Sequence, residues 1–306
     1  VIYNMNILIF PNDPFEAYEK KGHDGWYPNY FNPNLIFENV HLLYLSNLKK
    51  MREYKNGLTL NRVKKTKSNN IFAKIINWIK LVIKGLKLVK KENIDVIRAY
   101  NTITLSALLV SKLSNKPLVI SIHNNYQKEW DLHLSKWKSS LFKFVEKISI
   151  KFSDEIRCVS TFLCEYVEKQ GADSNKVVYT PNKVKLNRFS FKKKSFTQFE
   201  ENVFLFVGRF TKQKNIFTLL KAFNNLVKEN DKVKLIMVGD GEEKSKIKKF
   251  IRNNNLSDFI ELPGFIPNSK LFKFYDKSDC FILPSFYEGF GVVLIEAQAS
   301  GLPIIA

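Results

Sequence analysis

The sequence predicts an α/β protein made of two doubly wound, Rossmann-type domains in tandem, the second of them incomplete. Three observations carry that expectation. Short runs rich in Val, Ile and Leu alternate with segments of helical period. The alternation pauses over a basic, weakly periodic stretch at 181–200 and resumes at 203. A length of 306 residues with 45% apolar content is enough for a core in each of two domains.

In the first half the expected strands are 6–10, 40–45, 94–100, 117–123, 155–160 and 177–180, with helices at 71–91, 102–113, 136–152 and 161–169. The strands are continuously apolar rather than alternating, as a parallel sheet covered on both faces requires. In the second half strands at 203–208, 233–239, 259–262 and 280–285 alternate with helices at 214–229, 242–254, 268–276 and 291–300. The boundaries that follow are a first domain over 1–185, a linker over 186–200 and a second domain over 201–306. The carboxyl edges of two such sheets are expected to face a shared cleft, where ligands bind. A sheet that ends on "LPIIA" (302–306) lacks the elements to close it, so the chain reads as cut short. Val1 ahead of Met5 suggests that the start is not the natural one either.

The balance of 49 Lys+Arg against 29 Asp+Glu gives a net charge of +20, which points to an anionic partner. Nucleic acid, an anionic membrane surface and phosphorylated substrates all fit, as does a set of merely solvated lysine faces. A nucleic-acid binder should interleave exposed aromatics with its cations. Many of the 26 Phe fall instead in expected strand and helix cores. Cys158, Cys164 and Cys280 form no C-x-x-C pair or even framework, which fits a reducing cytosol. No apolar run has the length of a membrane span, and residues 4–13 lack the features of a secretory leader.

Two stretches carry chemistry. In "FVGRFTKQKNIFTLLKAF" (206–223) a strand ends in Gly208, a loop holds Arg209 and Lys214, and an amphipathic helix begins near Asn215. Glycine allows close backbone approach, the helix start offers free N–H groups, and Arg and Lys add a fork and a point charge. That set suits a diphosphate, although two cations in an ordinary loop would read alike. In "PSFYEGFGVVLIEAQASGLPIIA" (284–306) Gly289, Phe290 and Gly291 make a tight turn between Glu288 and Glu296. Glu296 falls inside a helix whose neighbours Leu294, Ile295, Ala297 and Ala299 are apolar. A buried, unpaired carboxylate is expensive, so a ligand such as a ribose diol is expected to partner it.

Together these stretches resemble the retaining glycosyltransferases of family four, which have the GT-B fold: two Rossmann-like domains binding a nucleotide sugar between them. The resemblance is strong over 203–306, and "VVYTPNKV" (177–184) is similar to the family's first-domain end. It implies Gly208, Arg209 and Lys214 at the donor diphosphate, Glu296 at the ribose and Glu288 near the transferred sugar. Gly289, Phe290 and Gly291 complete the donor site. It also implies that His123, at the end of a first-domain strand, approaches donor sugar and acceptor. Glu288, His123, Arg209 and Lys214 are thus the expected catalytic set. Arg98, Asn101 and Asp13 are weaker acceptor-side candidates. The sequence departs from the family at Asn215, where a glycine is usual, and in 11–29, which lacks a Gly-Gly pair.

No D-x-D, H-E-x-x-H or C-x-x-C offers a metal site, so no metal and no cofactor are expected beyond the donor, a UDP- or GDP-sugar. The helix at 71–91 places Phe72, Ile75, Ile76, Ile79, Val82, Ile83, Leu86 and Val89 on one face, flanked by Lys80, Lys84, Lys87 and Lys91. It reads either as a dock for an anionic membrane or as a crossover helix with wet lysines and its apolar face on the sheet. The reading as a whole is a metal-independent glycosyltransferase acting on a glycan or lipid-linked acceptor, cytoplasmic or peripheral on the inner membrane face. A GT-B sugar-nucleotide epimerase and an inactive truncated fragment are the alternatives.

Overall fold

The structure is a computed structural model that describes residues 3–20, 30–32, 35–68, 70–100, 105–184, 186–189, 191 and 202–306. It falls into two compact units, Val1–Pro181 and Asn182–Ala306. Most of the expected linker, 192–200, lies outside the described residues.

The first unit is built on an eight-stranded sheet. Its strands are β1 (Tyr3–Phe10), β2 (Phe37–Ser46), β3 (Arg52–Lys55), β4 (Leu58–Lys64), β5 (Val96–Tyr100), β6 (Leu118–Ile122), β7 (Glu155–Cys158) and β8 (Val177–Tyr179). They lie in the order β3-β4-β2-β1-β5-β6-β7-β8. All neighbours are parallel except β3 and β4, an edge hairpin that the sequence reading passed over. Its signal was the Asn56-Gly57 pair, both residues at positive φ, the dipeptide that two-residue hairpin turns favour. The helices are α1 (Phe15–Lys20), α2 (Ile71–Lys91), α3 (Leu105–Ser114), α4 (Tyr126–His133), α5 (Lys136–Phe152) and α6 (Thr161–Lys169). Of these, α1 and α4 were not expected. The connections from β4 through to β8 all step the same way across the sheet. Right-handed crossover therefore puts α2, α3, α5 and α6 on one face. The opposite face carries α1 and a core of Ile7, Ile9, Phe15, Phe31, Leu42 and Tyr100.

One expectation fails here. If α2 were an ordinary crossover helix, its large apolar stripe would cover the sheet. Instead Phe72, Ile75, Ile76, Ile79 and Ile83 are between 42% and 71% exposed. The inward face is made of Ala73, Asn77, Gly85, Leu88 and Val89. Gly85 shows why: a Cβ there would sit 2.7 Å from Val110 Cγ2, so α2 crosses α3 too closely for anything larger. Asn77, buried, accepts from the backbone N–H and hydroxyl of Thr66 and ties α2 to the end of β4.

The second unit is a five-stranded, all-parallel sheet in the order β11-β10-β9-β12-β13. The strands are β9 (Asn202–Val207), β10 (Val233–Val238), β11 (Ile260–Gly264), β12 (Cys280–Ile282) and β13 (Ile304–Ile305). Between them run α7 (Ile216–Glu229), α8 (Lys244–Asn253), α9 (Asn268–Asp276) and α10 (Val292–Ala299). Phe206, Phe210, Leu220, Met237, Ile247, Tyr275 and Phe281 are buried at its centre. Each strand of this unit falls where the apolar runs put it. The terminal "LPIIA" supplies β13, paired with β12.

Candidate active site

In the second unit the candidate residues collect at the carboxyl ends of β9 and β12. After β9 the chain runs through Gly208, Arg209 and Phe210, against the turn that follows β10. Gly208 N–H donates to Val238 O at 3.0 Å, and Phe210 N–H to Asp240 O at 2.9 Å. The two loops touch backbone to backbone: a Cβ on Gly239 would lie 1.9 Å from Gly208 O. Gly239, which the sequence reading did not single out, thus fixes the course of the Arg209 loop. Phe210 is fully buried, which turns Arg209, its neighbour, into solvent. Among the described residues Arg209 has no ion-pair partner, so its guanidinium is available to a ligand.

Lys214 closes a 3₁₀ turn, Lys212–Lys214, ahead of α7. The next residue, Asn215, adopts the left-handed conformation at φ 49°, ψ 38°. That backbone explains the family's usual glycine, and Asn is the side chain that tolerates it best. The turn is bound to the loop after β12 from two sides. Gln213, buried, donates Nε2 to Tyr287 O at 2.9 Å, while Phe286 N–H donates to Gln213 O at 3.0 Å. This clamp, which sequence reasoning missed, brings together the residues it did name: Lys214 Nζ donates to Glu288 Oε1 at 2.6 Å. Buried hydroxyls of Thr211 and Ser285, one in each loop, bond to no described group.

Gly289 and Phe290 lead from Glu288 to Gly291, which opens α10 at φ 68°, ψ 50°. No side chain caps that helix, so its first N–H groups stay open. Glu296 lies one turn in, 2% exposed. It was expected to need a ligand, and here the structure corrects the reasoning. Oε2 accepts from Tyr275 Oη at 2.9 Å, and Oε1 from Asn268 Nδ2 at 3.1 Å. Burial raises its pKa above the ordinary carboxylate value, against the two hydrogen bonds that lower it. The protein itself accounts for the burial of this acid.

In the first unit, His123 follows β6 and stacks on Tyr100 with ring centroids 5.5 Å apart. Its Nε2 is buried and has no hydrogen-bond partner among the described residues. Burial, then the charges of Arg98 and Arg157, lowers its pKa to about 3, so the ring is neutral at physiological pH. Arg98, on β5, is 8% exposed and donates Nε to Ser121 Oγ at 3.0 Å. Asp13 is half-buried in the loop between β1 and α1, and Asn101 lies outside the described residues. Among the described residues no three His, Cys, Asp or Glu side chains cluster as a metal site.

The α/β architecture, with a parallel sheet in each unit, is that of GT-B glycosyltransferases. Anabaena HepE, solved with UDP and glucose, superposes with a TM-score of 0.69 at 18% identity, over 99% of this chain and 80% of that one. Sequence comparison goes further. The family model described as Glycosyltransferase Family 4 matches residues 39–188, and that described as Glycosyl transferases group 1 matches 187–306. The chain belongs to the family-four glycosyltransferases. Two curated relatives are the α-monoglucosyldiacylglycerol synthase of Streptococcus pneumoniae and a UDP-Gal:α-D-GlcNAc-diphosphoundecaprenol α-1,3-galactosyltransferase of Escherichia coli. The first is 26% identical over 73% of this chain and 54% of its own length. The second is 28% identical over 76% of this chain and 62% of its own. The chain therefore spans little more than half to two thirds of the relatives it matches.

Proposed function

We propose that the chain transfers a glycosyl group from a UDP-sugar to a hydroxyl of a lipid-linked acceptor, with retention of configuration and without a metal. The bond from the anomeric carbon to the diphosphate breaks, the diphosphate leaves with the electron pair, and the acceptor oxygen takes its place and passes its proton to the departing diphosphate. The observation that carries this reading is the clamped turn that sets Lys214 against Glu288 beside a free Arg209. Negative charge grows on the departing diphosphate, and fixed cations that need no reorganisation are what stabilise it. Arg209 and Lys214 would do so with the open N–H groups of α10. Glu288 would lie by the sugar, and Glu296, through its remaining lone pairs, by the ribose. The relatives support the donor and acceptor classes: one is a UDP-Gal transferase acting on a diphosphoundecaprenol-linked sugar, and another is an α-monoglucosyldiacylglycerol synthase. Both family models describe transferases, and neither an epimerase.

We place the protein on an anionic membrane surface, on its inner face. The exposed apolar stripe of α2 is flanked by Lys80, Lys84, Lys87 and Lys91. On the same face of the sheet, α5 exposes Trp137, Leu141, Phe144 and Phe152 together with Lys136, Lys138, Lys147 and Lys151. Beside α2 lies an open groove of about 300 Å³ lined by Met51, Val63 and Ile83 and by Arg62, Lys80, Lys84 and Lys87. Apolar side chains rimmed by lysines are what an interfacial surface needs. Among the described residues no helix is long and apolar enough to cross a membrane.

A thermal-shift screen against UDP, GDP and ADP in EDTA tests the donor site, since a ligand that binds the native state raises its melting temperature. UDP alone should shift the melt, and Arg209→Ala should lose the shift. A cooperative melt that no nucleotide moves would rule the donor site out. The anomeric configuration of the product, read by NMR, tests retention.

A further inference from the structure

Buried arginines come with acids. Among the described residues, Arg98, buried, and Arg157, partly buried with its Nε enclosed, have none. The pairing register aligns Tyr100 with Ser121 and Ser121 with Arg157 across β5, β6 and β7. Residues directly opposite share a sheet face, and so do residues two apart. Arg98, Tyr100, Ser121, His123 and Arg157 therefore stand on one face, the one that carries α1, at the carboxyl edge of the sheet. Among the described residues, Arg98 Nη2, Arg157 Nε and His123 Nε2 are each buried without a hydrogen-bond partner. Arg98 lies over the Tyr100 ring, its guanidinium carbon 4.8 Å from the centroid. Tyr100 in turn is stacked between His123 and Tyr30. Among the described residues no carboxylate pairs with either arginine. Glu155, two residues before Arg157 on that face, is exposed and is ion-paired to neither of them.

Unpaired buried charge is costly, and two like charges raise the cost. Burial and the neighbouring Arg98 lower the pKa of Arg157. A fold does not keep such an arrangement for its own stability; a missing anion resolves it. We propose that Arg98, Arg157 and His123 form a phosphate-binding site of the first domain, which holds the phosphate or diphosphate of the acceptor. The three groups come from β5, β7 and the end of β6 between them, and the tetrahedral oxygens of a phosphoryl group can accept from several donors at once. A carboxylate offers two coplanar oxygens, which a single guanidinium would satisfy. A phosphate monoester at neutral pH brings close to two negative charges, matching two arginines beside a neutral histidine. That the phosphate belongs to an acceptor rests on the glycosyl-transfer reading; the anion site does not.

The test is calorimetric titration of the full chain in EDTA with inorganic phosphate, in a background that lacks the donor cations, Arg209→Ala with Lys214→Met. Phosphate should still bind there, and adding Arg157→Met should weaken it by roughly tenfold or more, the worth of one charge-assisted hydrogen bond. Arg157→Lys should recover part of the loss. Arg157→Met should also melt no lower than its parent, since it removes a partly buried charge that no described acid compensates. Geranyl diphosphate and glucose 6-phosphate, run in parallel, distinguish a lipid diphosphate from a sugar phosphate as the source. Either one binding through Arg157 supports the site. Phosphate binding that vanishes with Arg209 and Lys214, or that ignores Arg157→Met, would overturn it, as would a melt several degrees lower in Arg157→Met. If UDP fails to bind while phosphate binding depends on Arg157, the donor reading falls and the anion site stands.

Discussion

Lys214 Nζ lies 2.6 Å from Glu288 Oε1, and the two side chains are only 12% and 23% exposed. The residues proposed as leaving-group cation and sugar-side acid are thus ion-paired to each other. A diphosphate arriving at Lys214 has to compete with that carboxylate, so the two halves of the pair should respond differently to removal. Lys214→Met leaves Glu288 half-buried without its cation and should cost at least about 1 kcal/mol of stability and roughly tenfold or more in UDP affinity. Glu288→Gln relieves the competition. It should bind UDP at least as tightly as the wild type while losing transfer. Calorimetry with UDP decides: a drop of similar size in both variants would mean that the pair acts as one rigid support.

Glu296 makes a prediction whose sign depends on pH. Its folded-state pKa is raised by burial, so the fold favours the protonated acid. Its contribution to stability is fully present below the unfolded value near 4.5 and is lost as pH rises through the folded pKa. Glu296→Gln, which cannot ionise, should melt higher relative to wild type at pH 8 than at pH 4.5. Tyr275→Phe removes the donor to Oε2 and should destabilise by about 1–3 kcal/mol. An unchanged melting difference across that pH range would show that Glu296 is ionised throughout.

Backbone conformation supplies a third test. Gly291 sits at φ 68°, and a Cβ there would meet Leu294 Cδ1 at 2.9 Å. Gly291→Ala therefore combines left-handed strain with crowding at the start of α10, about 1–2 kcal/mol from the conformation alone. At Asn215, also left-handed, the reverse change to glycine should be close to neutral, and Asn215→Ala should cost about 1 kcal/mol. Urea denaturation of the three variants measures the ordering.

The same positions show how much was legible beforehand. Gly208, Arg209, Lys214, Glu288 and Gly291 were singled out because glycine and charge gather at strand ends there, and the fold brings Lys214 and Glu288 into contact. Gln213 could not, since nothing in its type says that it will bridge to Tyr287 across 74 positions of sequence. Glu296 was read as buried, correctly, but the partners that explain it, Tyr275 and Asn268, come from another helix. The apolar stripe of α2 misled most. Periodicity reports that a face exists; which way it turns is set by Gly85 against Val110, a contact between two helices.

That outward stripe gives the fourth prediction. Substitution of exposed apolar residues away from special features shifts stability by no more than about 0.5 kcal/mol. Ile75→Ser with Ile79→Ser should therefore leave the melt unchanged. If the face inserts into lipid, the same variant should lose co-sedimentation with anionic vesicles, and Lys80→Glu with Lys87→Glu should lose it more steeply at low salt. Retained co-sedimentation in both variants would mean that the lipid-binding surface is elsewhere. A large fall in melting temperature would mean that the stripe is covered by protein.

His123 offers the last prediction, one that couples stability to the proposed anion. Tyr100 stacks on its ring, and the cations Arg98 and Arg157 act on it. Its pKa near 3 means that between pH 6.5 and 3 the unfolded chain takes a proton there and the folded chain does not. Stability should therefore fall as the solution is acidified through that window, by up to about 1.4 kcal/mol per pH unit for one proton. Buried His41, whose pKa is also lowered, acts in the same direction, so His123→Phe should flatten the slope without abolishing it. Bound phosphate changes the electrostatics, because it cancels the two guanidiniums that, after burial itself, hold the proton off. With phosphate present the His123 ring signals in an NMR titration should move at a clearly higher pH than without it. A histidine that titrates near 6.5 in the free protein, unmoved by phosphate, would mean that the cluster is hydrated and that no anion completes it.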